Sequence, residues 1–152
     1  MIVPILLGSE SDKDFAKTIE GHLTEWGIKH ETIVASAHKV PEKVLEIVKR
    51  FNALNEPVCY VTIAGRSNGL SGVTAANSVH PVVACPPFKD KDDMMVNINS
   101  TLMMPSDTPV LAVVDPQNAA MAVIRILANS DPELKAKVEK HIQSVKDSFN
   151  KQ

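Results

Sequence analysis

Five short runs of nearly continuous apolar residues alternate along the chain with longer stretches in which apolar residues recur at helical spacing. The runs, rich in β-branched side chains, cover residues 2–7, 31–35, 57–64, 81–85 and 109–114 and predict strands. Between them, Phe15, Ile19, Leu23 and Trp26 follow i, i+4, i+8, i+11 and stop at Gly27, a residue type suited to the left-handed position just past a helix. Val44, Leu45, Ile47, Val48 and Phe51 repeat the pattern after Pro41, whose fixed φ suits a first helical turn. Met95, Ile98 and Leu102 predict a third helix, and residues 119–127 a fourth, very apolar one. Asp131-Pro132-Glu133 then opens a last amphipathic helix to about Phe149, with Asp131 as its N-cap. Residues 70–79 are a candidate for one more short helix.

Strands that are apolar throughout, rather than at alternate positions, belong to a parallel sheet covered on both faces. With right-handed crossovers the pattern predicts a three-layer, doubly wound α/β domain of five strands in flavodoxin-like order, closed by a C-terminal helix. Pro4 resists this: inside a central strand its missing N–H removes a ladder bond. The length, 152 residues, fits one domain over 1–152 with no disulfide or metal staple needed. Sixteen basic against 18 acidic residues give a net charge of -2, which excludes the basic footprint of a nucleic-acid binder and a polybasic membrane anchor. The opening MIVPILLGSESD lacks the basic start of a signal peptide, and no run approaches the roughly 20 apolar residues of a membrane span. Cys59 and Cys85 lie in apolar runs and form no CxxC pair, so they are expected to be buried, reduced thiols of a cytoplasmic protein.

In doubly wound sheets, ligands bind beyond the carboxyl ends of the strands. The residues there are Gly8-Ser9-Glu10-Ser11-Asp12, Ser36-Ala37-His38-Lys39, Gly65-Arg66-Ser67-Asn68-Gly69 and Pro86-Pro87. Glycines, hydroxyls, one histidine and two cations on one edge suit a phosphorylated small molecule. The Gly8–Asp12 loop offers amides and a helix N-terminus to an anion, with Ser9 and Ser11 as donors and Asp12 as an acceptor for ribose hydroxyls. The same residues serve equally well as a plain N-cap. A neutral imidazole at His38 can shuttle a proton near neutral pH, or else bonds backbone in its loop. Lys39 is either a phosphate counter-charge or a solvated lysine. Arg66, one of three arginines, has the planar donor fork that recognises phosphate, while Ser67 and the Gly69 amide can meet a carboxylate or CO2. His22, His30, His80 and His141 are expected to be structural.

No metal-ligand spacing is present, so neither metal nor cofactor is expected. The loop after the first strand is neither GxGxxG nor a Walker A sequence. Trp26 ends a helix and Tyr60 lies mid-strand, leaving little to stack a flavin, and a phospho-receiver's acceptor aspartate is replaced by Ala64-Gly65-Arg66. A non-catalytic nucleotide- or flavin-binding module remains the alternative from another class.

GSESD (8–12), SAHK (36–39), VTIAGRSNGL (61–70) and ACPP (84–87) together resemble the aminoimidazole ribonucleotide (AIR) carboxylase family of purine biosynthesis, in order and spacing from about residue 2 to 130. One branch of that family rearranges N5-carboxyaminoimidazole ribonucleotide (N5-CAIR) and carries a loop like GAGGAAHLPG after the third strand. The other carboxylates AIR directly with CO2 and carries AGRSNGL and SAHK. This chain is similar to the second, the class II branch, and lacks the AHLPG histidine. The resemblance implies that His38 moves the C4 proton. It also implies that Gly8, Ser9, Ser11, Asp12, Lys39 and Arg66 hold phosphate and ribose, and that Ser36, Ala37, Gly65, Ser67 and Gly69 surround CO2 and the carboxylate. It implies a homo-octamer, with AIR, its 4-carboxylate (CAIR) and CO2 as the only ligands. One position departs: where the family loop reads MPSG or MPGG, this chain has Met104-Pro105-Ser106-Asp107. The apolar stretch 119–127 fits burial between subunits and in a monomer's core equally.

Overall fold

The computed structural model describes residues 1–150. β1 (Val3–Leu7), β2 (His30–Val34), β3 (Tyr60–Ile63), β4 (Val82–Ala84) and β5 (Leu111–Ala112) form one sheet in the order β2-β1-β3-β4-β5, every pair parallel. The helices are α1 (Lys13–Glu25), α2 (Pro41–Asn52), α3 (Gly69–Asn77), α4 (Lys91–Asn97), α5 (Asn99–Leu102), α6 (Pro116–Leu127) and α7 (Pro132–Asn150). This is the doubly wound, flavodoxin-like arrangement that the alternation of elements predicts.

Side chains alternate across a strand, so β1 feeds two cores at once. Val3, Ile5 and Leu7 face Ile19 and Leu23 of α1 and Val123, Ile124 and Leu127 of α6, with Leu134 and Val138 of α7 at the margin. Leu6 faces the other way, with Tyr60 and Val82, against Val44, Val48 and Phe51 of α2 and Leu70 of α3. The two-sided burial is why β1 reads as an unbroken apolar run. It also accounts for α6: Ala119, Ala120, Val123, Ile124 and Leu127 are buried within this chain's own core.

Pro4 does lie mid-strand. Ile2 and Gly8 donate their N–H groups toward β3 (to Pro57 O at 3.0 Å and Ile63 O at 2.8 Å), whereas Val3 donates to Lys29 O on the β2 side at 2.9 Å. Pro4 has the parity of Ile2 and Gly8, so its missing donor faces β3. There the ladder is interrupted, between the Ile2↔Val58 bridge and the Ile5↔Val61 pair, while pairing with β2 continues through Pro4↔Glu31.

Helix ends follow the expected chemistry. Asp131 Oδ1 accepts the N–H groups of Glu133 and Leu134, both at 2.9 Å. α6 begins earlier than its apolar stretch, at Pro116, because Asp115 caps it through Asn118 N–H at 2.8 Å. Gly27, at φ 75, closes α1: its N–H bonds Thr24 O and that of Ile28 bonds Leu23 O. A Cβ on Gly27 would meet nothing within 4 Å, so Gly27→Ala costs only the left-handed conformation. It is expected to lower the unfolding free energy by about 1 kcal/mol with turnover unchanged, checked by urea denaturation and an activity assay.

Two elements differ from the apolar pattern. The third helix is split at Ile98 into α4 and α5, and Met95 and Leu102 stand 66% and 61% exposed, so their spacing marks helix but no buried face. The last strand is only Leu111–Ala112, exposed at the sheet's edge, rather than 109–114. Among the described residues no helix is long and apolar enough to cross a membrane. Cys59 and Cys85 are free and fully buried, and burial pushes both thiols up to about 12.

Candidate active site

The loops beyond β1, β2, β3 and β4 converge on one cavity of about 680 Å³. The first contributes Gly8, Ser9, Ser11 and Asp12; the second Ser36, Ala37, His38 and Lys39; the third Gly65, Arg66 and Ser67. Gly69 is expected among them but does not line the cavity. Its N–H donates to Ser67 O at 2.9 Å and so is not free to meet a carboxylate. Ala64, Leu70 and Pro87 also line it, and the wall is completed by Phe88, Lys89, Asp93 and Asn97. These last four lie one to ten residues past Pro87, on the same edge, where reading on beyond the two prolines finds a third cation.

Each loop has a local reason for its shape. Gly8 is needed less for a ligand than for the fold, because a Cβ there would stand 3.1 Å from the Ala64 Cβ. Ser9 takes the capping role: its Oγ accepts from Ser11 N at 3.3 Å and from Ser11 Oγ at 2.9 Å. That leaves Asp12, whose carboxylate makes no capping bond to α1. Burial raises its pKa above the ordinary carboxylate value, partly offset by the Ser9 backbone. A raised carboxyl pKa favours the fold while protonated, and that contribution is lost as the pH rises through the raised value. Asp12 at neutral pH is thus a charge the fold would rather not hold. Asp12→Asn is expected to raise the melting temperature at neutral pH, a gain that fades as the pH falls to the carboxylate's range. A lower melting temperature at neutral pH would return Asp12 to a capping role.

His38 stands in a turn whose Ser36 carbonyl accepts from Lys39 N at 3.3 Å and Val40 N at 2.9 Å. Its imidazole rests on Gly69, the first residue of α3, so closely that a Cβ there would lie 2.8 Å from Nε2 and 2.9 Å from Cε1. Backbone bonding is the role of other histidines: His30 Nδ1 lies 3.1 Å from Ile28 O and His80 Nε2 3.3 Å from Phe51 O. Among the described residues His38 makes no such bond; its exposed ring lies against Gly69, and the residue lines the cavity. Lys39 and Arg66 are exposed at the rim, two cations able to meet a phosphate.

Behind the third loop lies a buried polar network that residue type alone does not reveal. Asn68, 4% exposed, caps α3 by accepting from Ser71 N at 3.1 Å and Ser71 Oγ at 2.8 Å, and its amide donates to Thr101 Oγ1 at 2.9 Å. Ser71 Oγ is in turn 2.7 Å from Thr62 Oγ1 of β3. Fully partnered networks of this kind fix one loop conformation.

The profile of the family described as AIR carboxylase matches residues 2–148. The chain belongs to the AIR carboxylase family. It is 46% identical over 134 residues to a phosphoribosylaminoimidazole carboxylase of Archaeoglobus fulgidus, a match covering 88% of this chain and 73% of that protein. A Treponema denticola protein of the same name is 38% identical over 143 residues, covering 94% and 89%. The crystal structure of Treponema denticola PurE superposes with a TM-score of 0.91 at 37% identity, covering 99% of this chain and 94% of the other. Asp107, at φ 59, is one of two non-glycine residues among the described residues with a left-handed backbone, the other being Arg66 at φ 50. Aspartate is among the side chains that tolerate this region.

Proposed function

We propose that this cavity catalyses the direct, reversible carboxylation of AIR by CO2 to CAIR, a step of de novo purine biosynthesis, within one catalytic domain over residues 1–152. The observation that carries the reading is the seating of His38 on Gly69, its ring in a cavity bordered by Lys39, Arg66 and the uncapped Asp12. The 5-amino group makes C4 of AIR an enamine-like nucleophile. Its electron pair attacks CO2, a C–C bond forms, and C4 briefly carries both hydrogen and carboxylate. His38 takes that proton and the imidazole regains aromaticity; in reverse His38 returns it. Positioning and one proton relay suffice, since the substrate supplies its own activation and no ATP or biotin is consumed.

Lys39 and Arg66 meet the phosphate, Ser9 and Ser11 donate to it, and Asp12 accepts from the ribose. Gly8, Ala37 and Gly65 shape the walls, and Ser36 and Ser67 face CO2. Direct use of CO2, rather than rearrangement of N5-CAIR, is supported by Ala64-Gly65-Arg66-Ser67-Asn68-Gly69-Leu70, which carries no histidine where the mutase branch has one. Incubating CAIR with 13C-labelled CO2 tests this. Label is expected in the 4-carboxylate only with the protein present, and absence of exchange would contradict it.

The reading includes a homo-octamer in the cytoplasm, in keeping with two unpaired thiols. Met95, Val96 and Met103, 66%, 76% and 79% exposed, are apolar side chains open to a second copy. Sedimentation at the mass of eight chains is expected, and a monomer would remove this element.

A further inference from the structure

Arg66 and Ser67 present their side chains to the cavity from a backbone that needs support. Arg66 is left-handed at φ 50, and the chain then doubles back so that Gly69 N–H reaches Ser67 O at 2.9 Å. The support comes from α5, more than thirty residues further on. Ser100 Oγ donates to the Arg66 carbonyl and accepts from Asn68 N–H at 3.0 Å. One hydroxyl thus bridges both sides of Ser67. Thr101, its neighbour, receives the Asn68 side chain at 2.9 Å. Ser100 Oγ is also 3.0 Å from Asn97 O, a second acceptor in its own segment. The preceding helix α4 lines the cavity through Asp93 and Asn97, so the consecutive helices α4 and α5 wall the site and fix the loop opposite.

We propose that Ser100 is a positioning residue for the substrate's phosphate: by clamping Arg66 O and Asn68 N–H it holds the left-handed turn that aims the Arg66 guanidinium into the cavity. This rests on the reading of Arg66 as a phosphate ligand. Without the hydroxyl the Arg66 carbonyl and Asn68 N–H lose their shared partner, and the turn relaxes toward a right-handed backbone that points the arginine elsewhere. The loss is one of binding shared by ground and transition states, so it falls on KM rather than kcat.

The test is a double-mutant cycle with AIR as the varied substrate at saturating CO2, using the full chain. Arg66→Ala is expected to raise KM at least about tenfold, and Ser100→Ala about three- to tenfold with kcat changed less than about twofold. In the Arg66→Ala background, Ser100→Ala should add less than about twofold, since the group it positions is gone. Ser100→Thr, which keeps the hydroxyl, should recover most of the wild-type KM. Ser100→Cys is read in the same way as alanine if that variant fails to fold. Unchanged KM in Arg66→Ala overturns the phosphate role of Arg66. A raised KM there, with Ser100→Ala at wild-type KM or acting by the same factor in both backgrounds, overturns the positioning role alone.

Discussion

His38→Asn is expected to lower kcat by about 10³-fold or more while the protein still binds AIR, because a positioned acid–base group contributes roughly 10²–10⁴ to a proton-transfer step. Both directions of the reaction pass one proton at C4, and His38 is the histidine the fold delivers to the cavity, the described His30 and His80 being tied to backbone carbonyls. Asparagine keeps a polar side chain of similar reach in an exposed turn whose hydrogen bonds are made by the Ser36 carbonyl, so the fold should not notice. Melting temperature and AIR binding, measured beside turnover, separate a chemical role from a structural one. Turnover within a few-fold of wild type would remove His38 from the mechanism.

Gly69→Ala is the second large effect expected, and it needs no change in any group that touches substrate. A methyl at Gly69 would stand 2.8 Å from His38 Nε2 and 2.9 Å from Cε1, closer than non-bonded carbon ever sits. The ring, the end of a flexible and exposed side chain, has to move. For the fold that is cheap, and alanine at the start of α3 is a better helix former than glycine. For the reaction it is expensive, because a displacement of about 1 Å in a catalytic group can cost on the order of 10²-fold. The expected outcome is kcat down about 100-fold with the melting temperature held or slightly raised. In the His38→Asn background the same substitution should do almost nothing further. Full activity in Gly69→Ala would show that the imidazole's seat on α3 is not its working position.

The carboxyl edge of the sheet was legible because a parallel sheet obliges every strand-to-helix loop to emerge on the same side, and those loops bring the candidate residues to the cavity within four or five positions of the strand. Gly8 to Asp12, Ser36 to Lys39 and Gly65 to Ser67 all follow that geometry. Helix ends were legible for a similar reason, since a cap is a local contact: Asp131 on Glu133 and Leu134, Gly27 at the close of α1. What stayed hidden was settled between segments far apart. Asn68 reads as an ordinary loop residue, and only its bonds to Thr101 and Ser71 make it the hub of the site's support. Gly69 reads as a flexible ligand-binding glycine; the tertiary fold instead uses its missing side chain as the seat for His38. Met95 and Leu102 have core spacing but stand exposed on short helices. Pro4 stays in a central strand because pairing on its other side is intact.

The central claim, carboxylation of AIR by free CO2, is tested most directly by initial rates measured side by side on one preparation of the protein. One assay supplies AIR with CO2, the other N5-CAIR. Turnover of AIR with CO2 and none of N5-CAIR is the result this account requires. Turnover of N5-CAIR, with AIR and CO2 left unreacted, would contradict it.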